Sequence, residues 1–170
     1  VEEADVIYIP SHTLIPMAMV ARFVKPSIKV ILHLHNYQVL TFTSVVLAGR
    51  DPDMATDIIV EHGEHKNLLR TLLVGFGYHI NYLNRYALRY IDRVICVSQR
   101  QREIILKYLP ELKSKVAVIY NPLPPLLNIE KRLYEEPTLI YPSGGSYIKG
   151  FHIFIQASLN VLKREKNASF

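Results

Sequence analysis

The segment Tyr141-Pro-Ser-Gly-Gly-Ser-Tyr-Ile-Lys-Gly150 has the residue types of an anion-binding turn. Glycines let backbone N–H groups approach a ligand closely, and Lys149 stands where a helix is expected to begin. A helix N-terminus and a lysine both favour phosphate. Because neither a Walker A pattern nor Gly-x-Gly-x-x-Gly is present, a plain strand-to-helix turn with a solvated lysine is an equal alternative.

Apolar, β-branched runs and helical spacing alternate along the chain. The runs are continuous, which is typical of strands covered on both faces, and they predict strands at residues 5–9, 29–34, 93–97, 116–120 and 138–141. The alternation predicts an α/β fold, a Rossmann-like parallel sheet with flanking helices. Such a sheet binds ligands at its carboxyl edge, so the candidate residues are those that follow strands: Ser11, His12, His35, Asn36, Ser98, Asn121 and the loop 143–149.

Four helices and one loop are predicted around these strands. The spacing of Leu14, Met17, Ala18 and Ala21 predicts a helix after the first strand, and the apolar residues from Phe151 to Leu162 predict the last helix. A three-and-four spacing of apolar residues predicts one long helix over about 67–90, with its apolar face in the core and a bend at Gly75 and Gly77. Ser98 is expected to cap the helix that follows it, which explains this serine without a site role. Residues 61–65 have a His-x-x-His spacing, but a solvated loop is favoured over a metal site.

Between Asn121 and Pro137 the pattern stops and prolines accumulate. We therefore predict a domain at 1–121, a linker at 122–137 and the start of a second domain at 138–170.

Four segments together resemble the group 1, or family four, retaining glycosyltransferases of the GT-B fold. Residues 30–37 resemble its strand that ends in a His-Asn-Tyr or His-Asp motif at the interdomain cleft. Residues 90–98 resemble its aspartate, strand, serine and helix segment, and residues 116–122 its strand before the crossover. Residues 139–151 resemble its loop and Lys-Gly motif that grips the donor's diphosphate.

The resemblance implies a partial N-terminal, acceptor-side domain followed by the first strand-helix unit of a nucleotide-sugar-binding domain. It implies transfer of a sugar, with retention, from a nucleoside-diphosphate sugar to a glycan or lipid-linked acceptor, without metal or cofactor. His35 would be the catalytic residue of the cleft, and His33 is expected to point to the opposite face and pack. The donor phosphates would be bound by Gly144, Gly145 and Lys149, and the acceptor side lined by His12, Asn36, Tyr37 and Asn121.

This chain departs from the family pattern in three ways. The arginine that usually follows the glycine of the donor loop is missing, and so are the family's first strand and its donor-ribose segment. We therefore expect a fragment that is inactive alone. A sugar-nucleotide epimerase of the same fold and a non-catalytic nucleotide- or glycan-binding module stay as alternatives.

Composition and charge limit the classes of partner and the cellular location that we expect. The net charge of +5 is scattered along the chain, without the clustered basic and aromatic residues of a nucleic-acid surface. The single cysteine, Cys96, excludes an intrachain disulfide. No apolar stretch is long enough to span a bilayer and no signal peptide is seen, so a cytoplasmic location is expected. The insertion 39–66 begins with an apolar stretch, 39–48, that we expect to make a peripheral membrane contact with a lipid-linked acceptor.

Overall fold

The computed structural model describes residues 3–123, 125 and 136–170, and of His12 it describes the backbone alone. The chain divides into two compact units. The first comprises Val1–His62 and Lys66–Pro122, and the second comprises Gly63–His65 and Leu123–Phe170. Most of the predicted linker, residues 122–137, lies outside the described residues, so the predicted domain bounds stay a prediction.

A four-stranded parallel sheet forms the centre of the first unit. Its order is β1-β2-β3-β4, and the strands are β1 Val6–Ile9, β2 Lys29–Leu34, β3 Arg93–Cys96 and β4 Val116–Val118. The helices of this unit are α1 Met17–Val24, α2 Met54–His65, α3 Leu68–Gly77, α4 Ile80–Ala87 and α5 Gln99–Tyr108. Val30, Leu32 and Val94 are fully buried in the two central strands, as continuous apolar runs require. The predicted α/β fold with a parallel sheet is confirmed.

Asp92 ties the sheet to its covering helices. Its carboxylate accepts a hydrogen bond from the backbone N–H of Val30 at 2.7 Å and from the guanidinium of Arg22, on α1, also at 2.7 Å. Partial burial raises the pKa of this carboxyl, but the Val30 N–H and the Arg22 charge outweigh burial and hold the pKa below its usual range. Asp92 therefore fixes β2 against α1 and β3.

The predicted long helix is two helices, and its apolar face is not in the core. The structure has α3, α4 and a 3-10 turn at Leu88–Tyr90. The inward residues are small or polar: Thr71, Gly75, Gly77, Asn81, Asn84 and Ala87. The exposed residues are the apolar ones: Leu68, Leu69, Leu72, Leu73, Phe76, Ile80 and Leu83.

Close packing explains why small residues face inward here. A Cβ at Gly77 would lie 3.0 Å from Cζ of Phe42, and a Cβ at Gly75 would lie 3.3 Å from the tip of Ile58. A side chain at Gly77 would press on Phe42 and hold the helix away from the body of the unit. The glycines therefore permit a close approach, and the prediction of a core-facing apolar side is wrong.

The insertion after β2 contains a helix where a loop was predicted. Residues 61–65 belong to α2, which Asp53 caps by accepting from Thr56 N at 2.8 Å, so the predicted solvated loop is wrong. Val39, Leu40 and Thr41 are fully buried. The first part of the stretch 39–48 therefore packs in the protein and is not available to a membrane.

The second unit contains α6, Phe151–Leu162, as the spacing predicts. The predicted strand at 138–141 is wrong in extent, since only an isolated parallel bridge joins Thr138 to Ser169. Among the described residues of this unit no neighbouring strand is present to extend the pairing.

Candidate functional site

The carboxyl ends of the parallel strands form one edge of the sheet in the first unit. His12 begins a short 3-10 helix, His12–Leu14, soon after β1, and His35 directly follows β2. Ser98 follows β3, and Asn121, which is exposed, lies beyond β4. The register pairs Leu34 with Cys96 and Cys96 with Val118, so these strand ends are aligned. The fold thus brings the predicted residues of the first unit to a single edge.

His33 and His35 share one face of β2, contrary to the prediction that His33 points away. Side chains two residues apart in a strand lie on the same side, because the strand period is two. The centroids of the two rings are 4.3 Å apart, and Nδ1 of His33 hydrogen-bonds with the Tyr8 hydroxyl at 2.5 Å. His33 is partly buried, and His35 is exposed.

The environment of His33 disfavours its charged form. Burial first, and then the neighbouring His35, lower the pKa of His33. Its Nε2 is buried and has no hydrogen-bond partner in the described part of the chain. A neutral His33 therefore lies beside the exposed ring that the resemblance places in the cleft.

Asn36 and Tyr37 shape the turn that presents His35. The Asn36 side chain accepts from Gln38 N at 3.1 Å and donates to Gln38 Oε1 at 3.2 Å. Tyr37 packs partly buried against the core, and burial raises the pKa of its hydroxyl. Both side chains have local structural contacts, and their predicted role toward an acceptor stays a prediction.

The N-terminus of α5 joins this turn. The hydroxyl of Ser98 accepts from Gln101 N at 3.1 Å, so the predicted cap is confirmed. The Gln101 side chain accepts from Val97 N at 2.8 Å and donates to the carbonyl of Asn36 at 3.2 Å. Gln101 thereby connects the end of β3 with the residue that follows His35.

A cavity of about 690 Å³ opens between the segment 46–51 and α5. Arg100 lies 3.0 Å from Glu103, and Asp51 accepts from the Tyr108 hydroxyl at 2.7 Å and lies 3.7 Å from Lys107. Arg50 is also in the lining, so the basic side chains outnumber the carboxylates by one. The cavity therefore offers hydrogen-bond donors and acceptors to a polar ligand.

The predicted donor loop lies in the second unit, where Gly144, Gly145 and Lys149 are all exposed. Gly150 takes a left-handed conformation with φ of 81°, which a side chain would strain, and α6 begins at the next residue. The Tyr141 hydroxyl donates to the carbonyl of Lys149 at 2.7 Å and so fixes the loop backbone. The ammonium of Lys149 has no partner among the described residues, which leaves it available to a ligand.

Comparison with known families settles the class of the protein. The sequence profile of Glycosyltransferase Family 4 matches residues 2–125. The chain belongs to this family. No curated protein and no solved structure matches the chain.

Membership in Glycosyltransferase Family 4 agrees with the parallel sheet. The matched range includes the whole sheet edge that carries His35 and Asn121. The match ends before the predicted donor loop, so the roles of Gly144, Gly145 and Lys149 stay predictions. Within the described residues, no helix is both long enough and apolar enough to cross a bilayer.

The cavity beside α5 was not predicted. Its signal in the sequence is the spacing of Arg100, Glu103 and Lys107, which places charges on one face of a helix that starts at a strand end. That pattern is also typical of any solvated helix, and the segment 46–51 that closes the cavity has no pattern of its own. Only the fold brings the two together.

Proposed function

We propose that this glycosyltransferase moves a sugar from a nucleoside-diphosphate sugar to a hydroxyl of a glycan or lipid-linked glycan, with retention at the anomeric carbon. The observation that carries the proposal is the family match over residues 2–125, within which the strand ends place polar residues along one edge. Parallel sheets bind their ligands at this edge.

His35 is proposed to orient the reacting groups. Its ring is exposed directly after β2, beside His33, whose pKa burial and the neighbouring His35 lower. An imidazole in this place can accept or donate a hydrogen bond to a sugar hydroxyl.

Lys149 is proposed to stabilise the departing diphosphate. The leaving group gains negative charge in the transition state, and a cation already in place lowers the energy of that charge. The exposed glycines of the loop and the start of α6 directly after it support an anion in the same place.

The acceptor is proposed to bind in the cavity between the segment 46–51 and α5. Glycan hydroxyls need both donors and acceptors, and the paired charges of Arg100 and Glu103 and the Asp51–Tyr108 hydrogen bond provide them. Burial of the acceptor also positions its hydroxyl for transfer.

The test is a donor and acceptor assay with the full-length protein. Uridine- and guanosine-diphosphate sugars are supplied with glycan and lipid-linked acceptors, and product is separated from free sugar. Lys149→Ala is expected to lower kcat/KM by about 100-fold. The matched control is Lys166→Ala, an exposed lysine beyond α6, which should leave kcat/KM unchanged. Equal kinetics for Lys149→Ala and the parent protein would refute the donor site, and release of free isomerised sugar would indicate an epimerase.

A further inference from the structure

An apolar stripe runs along the outer surface of α3 and α4. We name it the α3–α4 face and define it by Leu69, Leu72, Leu73, Phe76, Ile80, Leu83 and Tyr86. All of these side chains are exposed, Phe76 by 74% and Leu73 by 63%. Tyr78 and His79, between the helices, keep right-handed helical dihedrals, so the stripe continues from one helix to the other.

Specific contacts on the opposite side hold this orientation. Arg85 donates to the carbonyls of Val39, at 3.3 Å, and Leu40, at 3.0 Å. Buried Asn81, with its amide oriented to satisfy both atoms, donates to Gln38 O at 3.1 Å and accepts from Phe42 N at 2.8 Å. These polar groups would lose their partners if the helices turned, so the apolar side is directed outward by the fold itself.

The C-terminal end of α4 is cationic. Residues 66–91 contain no aspartate or glutamate. Arg70 is ion-paired with Glu61 of α2 and Arg85 donates to backbone carbonyls, whereas Arg89 is exposed. Arg89 lies over the ring of Tyr86 at 5.0 Å, at the end of the apolar stripe. Tyr82 and Tyr86 are exposed there. Tyrosine is enriched where a protein surface meets the boundary between lipid and water, because its ring is apolar and its hydroxyl polar.

A cavity of about 760 Å³ adjoins α4, and its lining is positively charged. Arg85, Arg89 and Lys115 contribute to its lining, and Glu111 is the one carboxylate among its lining residues. The cavity therefore carries a net positive charge beside an apolar surface. That combination suits a ligand whose anionic head is joined to an apolar body.

We propose that the α3–α4 face rests on a lipid bilayer that contains anionic phospholipids. The leucines and Phe76 enter the boundary between head groups and acyl chains, while Arg89 and Lys115 bind the head groups. The helices lie in the plane of the surface and do not span it. This surface replaces the stretch 39–48, whose first residues are buried, as the membrane contact.

The charge of the face favours lipid over a second copy of the chain. In a symmetric dimer the same patch contacts itself, and Arg89 of each copy would find no carboxylate within residues 66–91 of the other, because that segment contains none. An anionic bilayer neutralises the same cations. The inference does not depend on the sugar-transfer chemistry proposed above.

The test is flotation of the full-length protein with vesicles of phosphatidylcholine alone or with phosphatidylglycerol. We expect flotation with the anionic vesicles and weaker flotation when salt is raised, since salt screens the cations. Leu73→Gln should lower the partition coefficient about tenfold, and Leu73→Gln with Phe76→Gln about 100-fold. Because these side chains are exposed, circular dichroism of the variants should match that of the parent protein.

Matched substitutions outside the face distinguish binding through this face from non-specific adsorption to vesicles. Leu123→Gln removes an 85% exposed leucine, and Arg164→Gln removes an exposed arginine beyond α6; neither should change flotation, whereas Arg89→Gln should weaken it. Equal flotation for the Leu73 and Phe76 double variant and the parent protein overturns the proposal. Absence of flotation with the anionic vesicles also overturns it. If the parent protein then sediments as a dimer and the double variant as a monomer, a second copy of the chain covers the face.

Discussion

Replacement of Asp57 by alanine tests how the insertion after β2 is held in place. Asp57, on α2, is completely buried, and its carboxylate accepts from Phe42 N at 2.9 Å, Thr43 N at 2.7 Å and the Thr43 hydroxyl at 2.6 Å. These bonds attach α2 to the turn that follows β2. Phe42 of this turn packs against Gly77 of α3, so the Asp57 carboxylate supports the contacts of the turn with both α2 and α3.

The loss in free energy of unfolding expected for Asp57→Ala follows from the hydrogen-bonding groups that the substitution leaves unpaired. The Thr43 hydroxyl can rotate, and Phe42 N keeps the amide oxygen of Asn81 as an acceptor at 2.8 Å. The N–H of Thr43 is then left without an acceptor, at a cost of about 1–3 kcal/mol, and the loss of charge-assisted bonds adds a similar amount. We expect the free energy of unfolding to fall by about 3 kcal/mol.

Urea unfolding followed by circular dichroism measures this loss. With a dependence of about 2 kcal/mol per molar urea, the midpoint should fall by about 1.5 M. Asp53→Ala is the control on the same helix, because Asp53 is an exposed cap with a single acceptor role, worth about 1 kcal/mol. If the two variants lose equal stability, the buried carboxylate has no special role and the reasoning is wrong.

Two further predictions concern the histidine pair and the glycine contact. Since the pKa of His33 is lowered in the folded state, the unfolded chain binds a proton there more readily as pH falls below about 6.5, and stability should decrease. His33→Gln should reduce this dependence in urea midpoints between about pH 7.5 and 5.5. An unchanged slope in His33→Gln contradicts the prediction. Gly77→Ala forces a Cβ against Phe42 and should cost about 1–2 kcal/mol in thermal unfolding despite a better helix propensity, whereas Gly75→Ala, which meets only a flexible tip, should be close to neutral.

The sheet was predictable because its signal is local. The run at residues 29–34 gave β2 with its bounds, and the other strands of the first unit differ from prediction only at their ends. The position of His35 after a strand follows directly from that pattern. Its relation to His33 was also within reach of the sequence, since residues two apart share a strand face, and the error lay in applying the period.

The helices show where sequence periodicity stops being informative. Spacing in α3 and α4 correctly groups the leucines with Phe76 on one side, but periodicity does not say which side faces the protein. Gly75, Gly77 and Asn81 determine which side faces the protein, because they form the opposite side and fit closely against the insertion after β2. A helix whose small and polar residues make specific inward contacts has no apolar interior left to fill. Its leucines are left on the surface of the unit, and the cation Arg89 beside them is the reason for proposing an anionic bilayer as their partner.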